Sequence, residues 1–260
     1  MLTAIGLDIM KTALVDGDML CYRIGFACDK EVASVAHKTM DKFLSDLICH
    51  LPVTEWEVFL TGKDNFRNEY AVTVPYKGNR TELKKPVHLQ SLREFLVDKW
   101  DATVSDGQEA DDAIAIRATT LGDDSVIVSL DKDFDQVQGW HHNFVKDDTY
   151  YITAEEGLLN FYCQFLTGDR IDNIVGVKGI GPVKAHKLLS TKVTEEDMFA
   201  VCVEHLGYDR AVENGRLLYL RRKENELWMP PSTAISSSTP SSLNTKTEST
   251  QPPTSTETLN

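Results

Sequence analysis

The strongest constraint on the fold is an apolar run that ends in acidic residues, SVIVSLDKD at residues 125–133. A short run of this kind is typical of a strand that is buried on both faces, as in a parallel sheet. Earlier in the chain, KTALVDGD, WEVFLTG and ATVSD are weaker strand candidates, and the spacing of apolar residues predicts helices at about 31–51 and 110–121. This alternation predicts an α/β fold, with a mostly parallel central sheet flanked by helices and ligands at the carboxyl ends of the strands.

The organisation of the chain follows from where these patterns stop. We predict a sheet domain at 1–150, which includes a polar and basic excursion at about 63–100, and an all-helical subdomain at 151–229. Residues 230–260 are rich in Ser, Thr and Pro and contain almost no large apolar residues. Such a segment cannot bury enough apolar surface to offset the entropy of ordering, so a disordered tail is predicted there.

Composition excludes several classes of protein. Five cysteines without a paired spacing argue against a disulfide framework. No run of about 18 apolar residues indicates a membrane span, so a cytoplasmic protein is expected. The net charge of −13 is unusual for a protein that binds nucleic acid. Basic residues nevertheless gather between positions 63 and 93, and bound cations would reverse the field around the acids.

Four groups of acidic residues lie where the predicted strands or helices end. Neighbouring carboxylates resist joint ionisation unless a positive charge separates them, and hard oxygen ligands favour Mg²⁺ or Mn²⁺ over zinc. We therefore predict a site for two or more such ions, which can activate water for a displacement at phosphorus. The predicted ligands are Asp16, Glu109, Asp111, Asp112, Asp131, Asp133, Asp169 and Asp172. The alternative for each acid alone is a solvated strand end or a helix cap, and for Asp18 we predict a cap on the helix that begins at Met19.

A glycine-rich segment at 176–189, GVKGIGPVKAHKLL, predicts a helix-hairpin-helix. The glycines allow a tight turn whose backbone N–H groups can meet a phosphate at the next helix N-terminus, and the lysines add positive charge. This motif binds the nucleic-acid backbone without reading bases. The residues predicted to contact DNA here are Gly176, Lys178, Gly179, Gly181, Lys184 and Lys187. The alternative is a glycine-rich connection between two helices.

The segment PYKGNR at residues 75–80 supplies the third candidate group. Lys77 and Arg80, with Arg67 upstream, can clamp a phosphate because they combine a mobile point charge with a planar bidentate fork. Lys84 and Lys85 continue the basic stretch and are predicted to contact DNA, as is Arg67. A basic surface loop would have the same composition.

Taken in order, VDGD, PYKGNR, EADD, SLDKDFDQV and GDRIDNIVGVKGIGPVKA resemble the motif set of the flap endonuclease and 5′ to 3′ exonuclease family, especially its small bacteriophage members. The resemblance runs from about residue 12 to 190. It implies a PIN-like nuclease domain and a flexible arch at about 63–100, with Lys77 and Arg80 at its base as catalytic residues. It also implies a helix-hairpin-helix, or helix-three-turn-helix, that holds duplex DNA, often with K⁺ on the backbone carbonyls of 176–181.

The same resemblance implies an activity. A Mg²⁺-dependent 5′ to 3′ DNA exonuclease with 5′-flap endonuclease activity is expected, working by a two-metal-ion mechanism in replication, recombination or repair, with Mn²⁺ able to replace Mg²⁺. By this resemblance the eight acids are metal ligands or neighbours of the ligands. The expected partner is DNA with a free 5′ end or flap, an RNA–DNA hybrid is a further candidate, and a monomer is expected.

One position departs from the family pattern. Where the family usually has a metal-binding aspartate after its second strand, this chain has FLTGKDNFR, with Gly62 at the corresponding place. Either Asp64 substitutes, or the cation keeps waters there, as Mg²⁺ commonly does.

Two other functions are compatible with part of the sequence. A PIN-type ribonuclease shares clustered acids on a comparable sheet but is not expected to carry the hairpin. A non-catalytic protein that binds DNA junctions would use the hairpin alone, and Gly62 is the one feature that favours it.

Overall fold

The structure is a computed structural model and describes residues 10–80 and 84–232. Within these residues the main sheet consists of β1 (Thr12–Asp16), β2 (Glu55–Thr61), β3 (Thr103–Ser105), β4 (Ser125–Val128), β5 (Gly139–Asn143) and β6 (Asp148–Ile152). Their order across the sheet is β3-β2-β1-β4-β5-β6, and every neighbouring pair is parallel except β5 and β6. The predicted α/β class and the mostly parallel sheet are therefore confirmed.

The four strands predicted from apolar runs are β1 to β4, whereas β5 and β6 were not predicted. Their sequences, GWHHN and DTYYI, consist mainly of polar and aromatic residues and contain no apolar run. They pair as an antiparallel hairpin at the edge of the sheet, where His141 stacks on Tyr150 with ring centroids 5.4 Å apart. Long-range pairing with β4 places this hairpin in the sheet, and its local pattern does not reveal that pairing.

Helices cover both faces of the sheet. The first five are α1 (Gly17–Ala27), α2 (Ala33–His50), α3 (Arg67–Tyr70), α4 (Leu89–Trp100) and α5 (Ala110–Leu121). Leu20, Met40 and Leu92, from α1, α2 and α4, share one apolar cluster with Ala13 and Val15 of β1. On the opposite face, α5 packs through a second cluster that includes Leu14, Phe59, Ile114 and Ile127. The strands are thus buried on both sides, as their apolar sequences predict.

Helix α4 narrows the segment that is available for an arch. The predicted range of about 63–100 included this helix, but Leu92 and Leu96 are fully buried against α1 and α2. Residues from Leu89 onward therefore belong to the core, and the arch prediction is restricted to 63–88. Residues 81–83 of that range lie outside the described residues.

The C-terminal part is mainly helical. Its elements are α6 (Ala154–Thr167), β7 (Gly168–Asp169), β8 (Ile174–Val175), α7 (Pro182–Leu189), α8 (Glu195–Leu206) and α9 (Tyr208–Leu218). Tyr162, Phe165 and Phe199 are fully buried in its core, and Trp228 packs edge-on against Phe165 at 5.5 Å. The predicted tail, residues 230–260, lies outside the described residues except for its first three positions.

No helix among the described residues is both long and apolar enough to cross a membrane.

Candidate functional site

The acidic groups meet at one edge of the sheet. Strands β2, β1 and β4 are parallel neighbours, so their carboxyl ends lie side by side. Asp16 is the last residue of β1, and Asp131 follows β4 at the start of a 3-10 turn. Glu109 caps α5, which follows β3, and Asp111 lies in the first turn of that helix. The topology therefore brings acids that are distant in the sequence to a common edge.

Asp16 connects β1, β4 and α1. Its Oδ1 accepts a hydrogen bond from the backbone N–H of Met19 at 2.9 Å, and its Oδ2 accepts one from the Ser129 hydroxyl at 2.8 Å. Burial raises the pKa of Asp16 to about 6, the two hydrogen bonds oppose this shift, and the charges of Asp18 and Asp131 add to it. Two hydrogen bonds therefore hold the Asp16 carboxylate in place. The charged groups that influence its pKa are two other acids, Asp18 and Asp131.

The prediction that Asp18 caps the helix is wrong, because Asp16 is the cap of α1. Asp18 instead accepts a hydrogen bond from the backbone N–H of Thr61 at 2.7 Å and forms an ion pair with Arg93 of α4. Arg93 also donates to the carbonyl of Thr61. This pair joins α1 and α4 to the carboxyl end of β2.

Asp111 is crowded by other acids. Burial raises its pKa well above the ordinary value, and the charges of Asp16, Glu109 and Asp131 raise it further, against a smaller opposing effect of Lys77. A carboxylate in this position is stabilised when a cation lies beside it.

A second crowded group surrounds Asp133. Burial raises its pKa to about 7, and the charges of Asp131, Asp169 and Asp172 contribute in the same direction. The backbone N–H of Asp133 donates to Asp131 Oδ1 at 2.9 Å, so the two acids that follow β4 share one turn. Asp169 in β7 shapes the neighbouring turn, because its Oδ1 accepts from the backbone N–H of Asp172 at 3.0 Å. Acids from the helical part therefore extend the site built on the sheet.

The PYKGNR segment reaches these acids directly. Tyr76 is buried, and its hydroxyl lies 2.9 Å from Glu109 Oε2 and 2.7 Å from Asp172 Oδ2. Lys77 forms an ion pair with Glu109 and lies 3.7 Å from Asp172, and Arg80 forms an ion pair with Asp172. Lys77 and Arg80 thus lie next to the clustered acids. This is the position that residues need in order to clamp a phosphate there.

The prediction that Arg67 contacts DNA is wrong. Its side chain is only 1% exposed. The guanidinium donates to both oxygens of Asp112, at 2.6 and 2.9 Å, and to the carbonyls of Leu217 and Tyr219, each at 2.8 Å. Arg67 therefore joins α3 to α5 and to the end of α9 with the residue that follows it, and it has no free face for a phosphate.

Asp112 is likewise not a metal ligand in this structure. In addition to Arg67, its oxygens accept from the backbone N–H groups of Glu109 and Arg221, each at 3.1 Å. Burial opposes ionisation of Asp112, but Arg67 outweighs it and lowers the pKa. Four N–H groups donate to this carboxylate. Asp112 therefore has a structural role, which was the alternative to metal binding.

The remaining acids fit hard divalent cations. They are carboxylates crowded in a partly buried edge, and the charges that raise the pKa of Asp111 and Asp133 come from other carboxylates. In residues 10–80 and 84–232 no three His, Cys, Asp or Glu side chains already have the spacing of a complete metal cage.

The glycine-rich segment forms a turn between the β7–β8 hairpin and α7. Gly179 has φ of +83°, a conformation that favours glycine, and Gly181 is the N-cap of α7 with Pro182 next to it. The side chains of Lys178, Lys184 and Lys187 are exposed. The backbone and the lysines are accessible as a helix-hairpin-helix requires, and their contact with DNA remains a prediction.

Lys84 and Lys85 are also exposed. Lys84 forms an ion pair with Asp29 at 2.6 Å, and Asp29 also accepts from the backbone N–H of Val87 at 2.9 Å. These contacts attach the segment after the undescribed residues to the end of α1. The DNA contacts of Lys84 and Lys85 stay predictions.

At the position that departs from the family pattern, the backbone leaves no room for a side chain. A Cβ on Gly62 would clash with Asp106 Oδ1 and lie 2.7 Å from the carbonyl oxygen of Ser105. The backbone N–H of Gly62 also donates to that carbonyl at 2.7 Å. Asp64 is exposed and has φ of +62°, and its substitution for the family's aspartate stays a prediction.

Replacing Gly62 with alanine is expected to destabilise the protein by about 1–3 kcal/mol, because the added methyl group meets the backbone of β3. Denaturant unfolding would measure this change. Gly181→Ala is the matched control, since its φ is −96° and nothing lies within 4 Å of the added Cβ. Equal stability of the two variants would contradict the close approach at Gly62.

Some residues at the site were not predicted from the sequence. Tyr76 contacts two acids, Ser129 donates to Asp16, and Gln164 donates to Asp133 at 2.7 Å. The position of Tyr76 directly before Lys77 was a usable signal. Gln164 lies in the last turn of an amphipathic helix, and no local pattern distinguishes it from a surface residue.

Comparisons with known proteins agree with this architecture. A family model described as the 5′-3′ exonuclease N-terminal resolvase-like domain matches residues 11–161. The flap endonuclease Xni of Shewanella sediminis is 34% identical over 134 residues, which are 45% of this chain and 51% of the relative. DNA polymerase I of Bacillus caldotenax is 29% identical over 228 residues, 76% of this chain and 25% of the relative. The chain spans about half the length of the first of these relatives and a quarter of the second.

A solved structure also has this fold. The T5 D15 protein, co-crystallised with metal ions, superposes with a TM-score of 0.61 at 21% identity, covering 81% of this chain and 89% of that chain. The family model alone spans more than half of the 260 residues. This chain therefore belongs to the 5′-3′ exonuclease family.

Proposed function

We propose that this protein is a divalent-metal-dependent nuclease that degrades DNA from a 5′ end and cuts 5′ flaps. The observation that carries the proposal is that acids from β1, α5, the turn after β4 and the β7–β8 hairpin lie together at one edge of the sheet. Lys77 and Arg80 contact acids at the same edge. The names of the relatives, flap endonuclease and DNA polymerase I, and the metal ions in the T5 D15 crystal support the same reading.

Two groups of carboxylates would hold the cations. Those at the sheet edge are Asp16, Glu109 and Asp111, and those around the turn after β4 are Asp131, Asp133, Asp169 and Asp172. Two divalent cations, when bound, activate a water and stabilise the leaving oxygen of an in-line displacement at phosphorus. Mg²⁺ is the proposed cation, with Mn²⁺ as its substitute, because the donors are hard oxygens.

Lys77 and Arg80 are assigned to the scissile phosphate. Both contact acids in the structure, and a phosphate oxygen offers them the same kind of charged acceptor. Lys77 provides a compact point charge, whereas Arg80 can donate two parallel hydrogen bonds. Together they would orient the phosphate for attack, and orientation of this kind supplies a large part of the rate of many enzymes.

The turn at 176–181 and α7 would hold the duplex through its backbone. Exposed lysines and free N–H groups at the start of α7 suit phosphates and read no bases. K⁺ on the carbonyls of this turn and a monomeric state are part of the proposal, and so is action on an RNA–DNA hybrid beside DNA.

Replacing both Lys184 and Lys187 with alanine is expected to weaken DNA binding and to reduce the slope of log K against log salt by about 2, because each phosphate contact contributes about 0.9 to that slope. Binding to a 5′-flap duplex would be measured in Ca²⁺ across a salt series. Lys42→Ala is the control, since Lys42 is an exposed lysine of α2 paired with Asp46 at 2.6 Å. An unchanged slope in the double variant would contradict the hairpin assignment.

The proposed activity is tested with end-labelled substrates on a sequencing gel. A 5′-flap duplex, a blunt duplex, an RNA–DNA hybrid and single-stranded RNA are each incubated with Mg²⁺, Mn²⁺ or EDTA. We expect metal-dependent shortening of the 5′ strand and cutting at the flap base, with no reaction in EDTA. Cleavage of RNA alone would instead indicate a PIN-type ribonuclease. Tight binding without cleavage in either metal would indicate a non-catalytic junction-binding protein.

A further inference from the structure

We propose that Gln164 is a positioning residue, which holds the carboxylate of Asp133 in the orientation that the metal site needs. This inference rests on the proposed function. Gln164 lies on α6, and its Nε2 donates to Asp133 Oδ1 at 2.7 Å. Its side chain links the last turn of α6 to a carboxylate of the acidic turn after β4.

Helix α6 contacts that turn through two amides. Asn160 lies one helical turn before Gln164, so both side chains are on the same face of the helix. Asn160 donates to the backbone carbonyl of Asp135 at 3.0 Å, whereas Gln164 donates to a side-chain carboxylate. Asn160 therefore fixes the backbone of the turn, and Gln164 fixes the orientation of an acid.

The effect of Gln164 extends beyond one carboxylate. The backbone N–H of Asp133 donates to Asp131 Oδ1 at 2.9 Å, and the backbone N–H of Asp131 donates to Ser129 Oγ at 3.1 Å. The turn is thus a chain of short contacts, and Gln164 is one of the side chains that support it from α6. A rotation of the Asp133 carboxylate would move an acid that lies among Asp131, Asp169 and Asp172.

The other half of the Gln164 amide explains why the residue is not needed for folding. Its Oε1 is buried and has no hydrogen-bond partner among the residues that the structure describes. A buried carbonyl without a donor destabilises a fold, and this cost offsets the stability that the hydrogen bond to Asp133 contributes. An apolar side chain of similar length should therefore leave the stability nearly unchanged. When Asp133 is ionised, as a metal ligand must be, a flipped amide would place Oε1 against the carboxylate oxygen with no proton between them. The N–H donor to Asp133 is what an apolar residue cannot supply.

The test uses Gln164→Met, which keeps the length of the side chain and removes the donor. Mn²⁺ is titrated into the full chain without DNA in a calorimeter, and the melting temperature is measured beside it. We expect the Mn²⁺ dissociation constant to rise by about 10–100-fold, as is usual when a partner of a metal ligand is lost, with a nearly unchanged melting temperature. In the flap assay kcat should fall while KM for DNA stays close to the wild-type value.

Two further variants make the result specific. Gln164→Asn keeps the amide but is too short to span the contact, so it should lose Mn²⁺ affinity like Gln164→Met. Asn160→Ala removes a contact to the same turn that involves no carboxylate, so it should lower the melting temperature and leave Mn²⁺ affinity close to wild type. Wild-type Mn²⁺ affinity in both Gln164 variants would overturn the inference while leaving the proposed function intact. A wild-type chain that neither binds Mn²⁺ nor cleaves DNA would overturn both.

Discussion

Replacing Asp111 with asparagine is expected to reduce cleavage of a 5′-flap substrate by at least about 1,000-fold while making the protein more stable. The loss of activity follows because a metal ligand contributes several kcal/mol to the transition state, and each 1.4 kcal/mol is about tenfold in rate. The gain in stability follows because Asp111 is crowded by Asp16, Glu109 and Asp131, and no group of the described residues donates a hydrogen bond to it. The two effects have opposite signs, which a merely structural residue would not produce.

The gain in stability should depend on pH. The pKa of Asp111 is raised by folding, so the folded chain holds this proton more tightly than the unfolded chain does. Ionised Asp111 therefore destabilises the fold as pH rises above about 4, the ordinary pKa of an aspartate, and the variant lacks this cost. Thermal unfolding in EDTA at acidic and neutral pH would show the difference between variant and wild type growing with pH.

The control for Asp111 is Asp98→Asn, which removes an exposed carboxylate of α4. It should change neither cleavage nor the melting temperature. Full activity of Asp111→Asn at ordinary Mg²⁺ would contradict the assignment of Asp111 to a metal site. A loss of stability of this variant in EDTA would contradict the crowding of Asp111 by other acids.

Replacing Arg67 with alanine is expected to cost about 3–5 kcal/mol of the free energy of unfolding, because it leaves the buried Asp112 carboxylate without its positive partner. The same change removes donors to the carbonyls of Leu217 and Tyr219. For a chain of this size, each kcal/mol lowers the melting temperature by about 2–4 °C, so a fall of roughly 6–20 °C is expected. Chemical denaturation and calorimetry would measure both quantities.

A partly exposed ion pair provides the comparison. Arg117 and Glu57 lie 2.6 Å apart with side chains that are 39% and 32% exposed. Arg117→Ala should cost less than about 1 kcal/mol, since solvent screens such pairs. If Arg67→Ala kept its stability but reduced the salt dependence of DNA binding, the DNA contact predicted from the sequence would hold and the buried role would be wrong.

The elements that were predictable from the sequence are those with a strong local pattern. The run at 125–128 is the central strand β4, and the helix predicted at 110–121 has the bounds of α5. Strand ends in a parallel sheet have a known common edge, so the convergence of Asp16, Asp131 and Asp111 also followed from the pattern. Features that depend on contacts between distant segments could not be predicted from a local pattern.

Arg67 and Asp112 illustrate this limit. Both are charged residues with polar neighbours in the sequence. A DNA contact for Arg67 and metal binding for Asp112 were therefore reasonable predictions. Their burial depends on the end of α9 and the segment after it, about 150 residues from Arg67, which cover the guanidinium with two carbonyls. Likewise, β5 became a strand through pairing with β4, and β6 through pairing with β5. The helical core around Trp228 depends on the same C-terminal segment.

The most direct measurement is a crystal of the full chain soaked in Mn²⁺ and recorded at the manganese absorption edge. We predict anomalous peaks at the carboxyl edge of the sheet, within coordination distance of oxygens from Asp16, Asp111 and Asp131 or their neighbouring acids, and no peak at Asp112. The absence of any peak at this edge, or carboxylates that turn away from one another around it, would contradict a nuclease that works through metal ions held there.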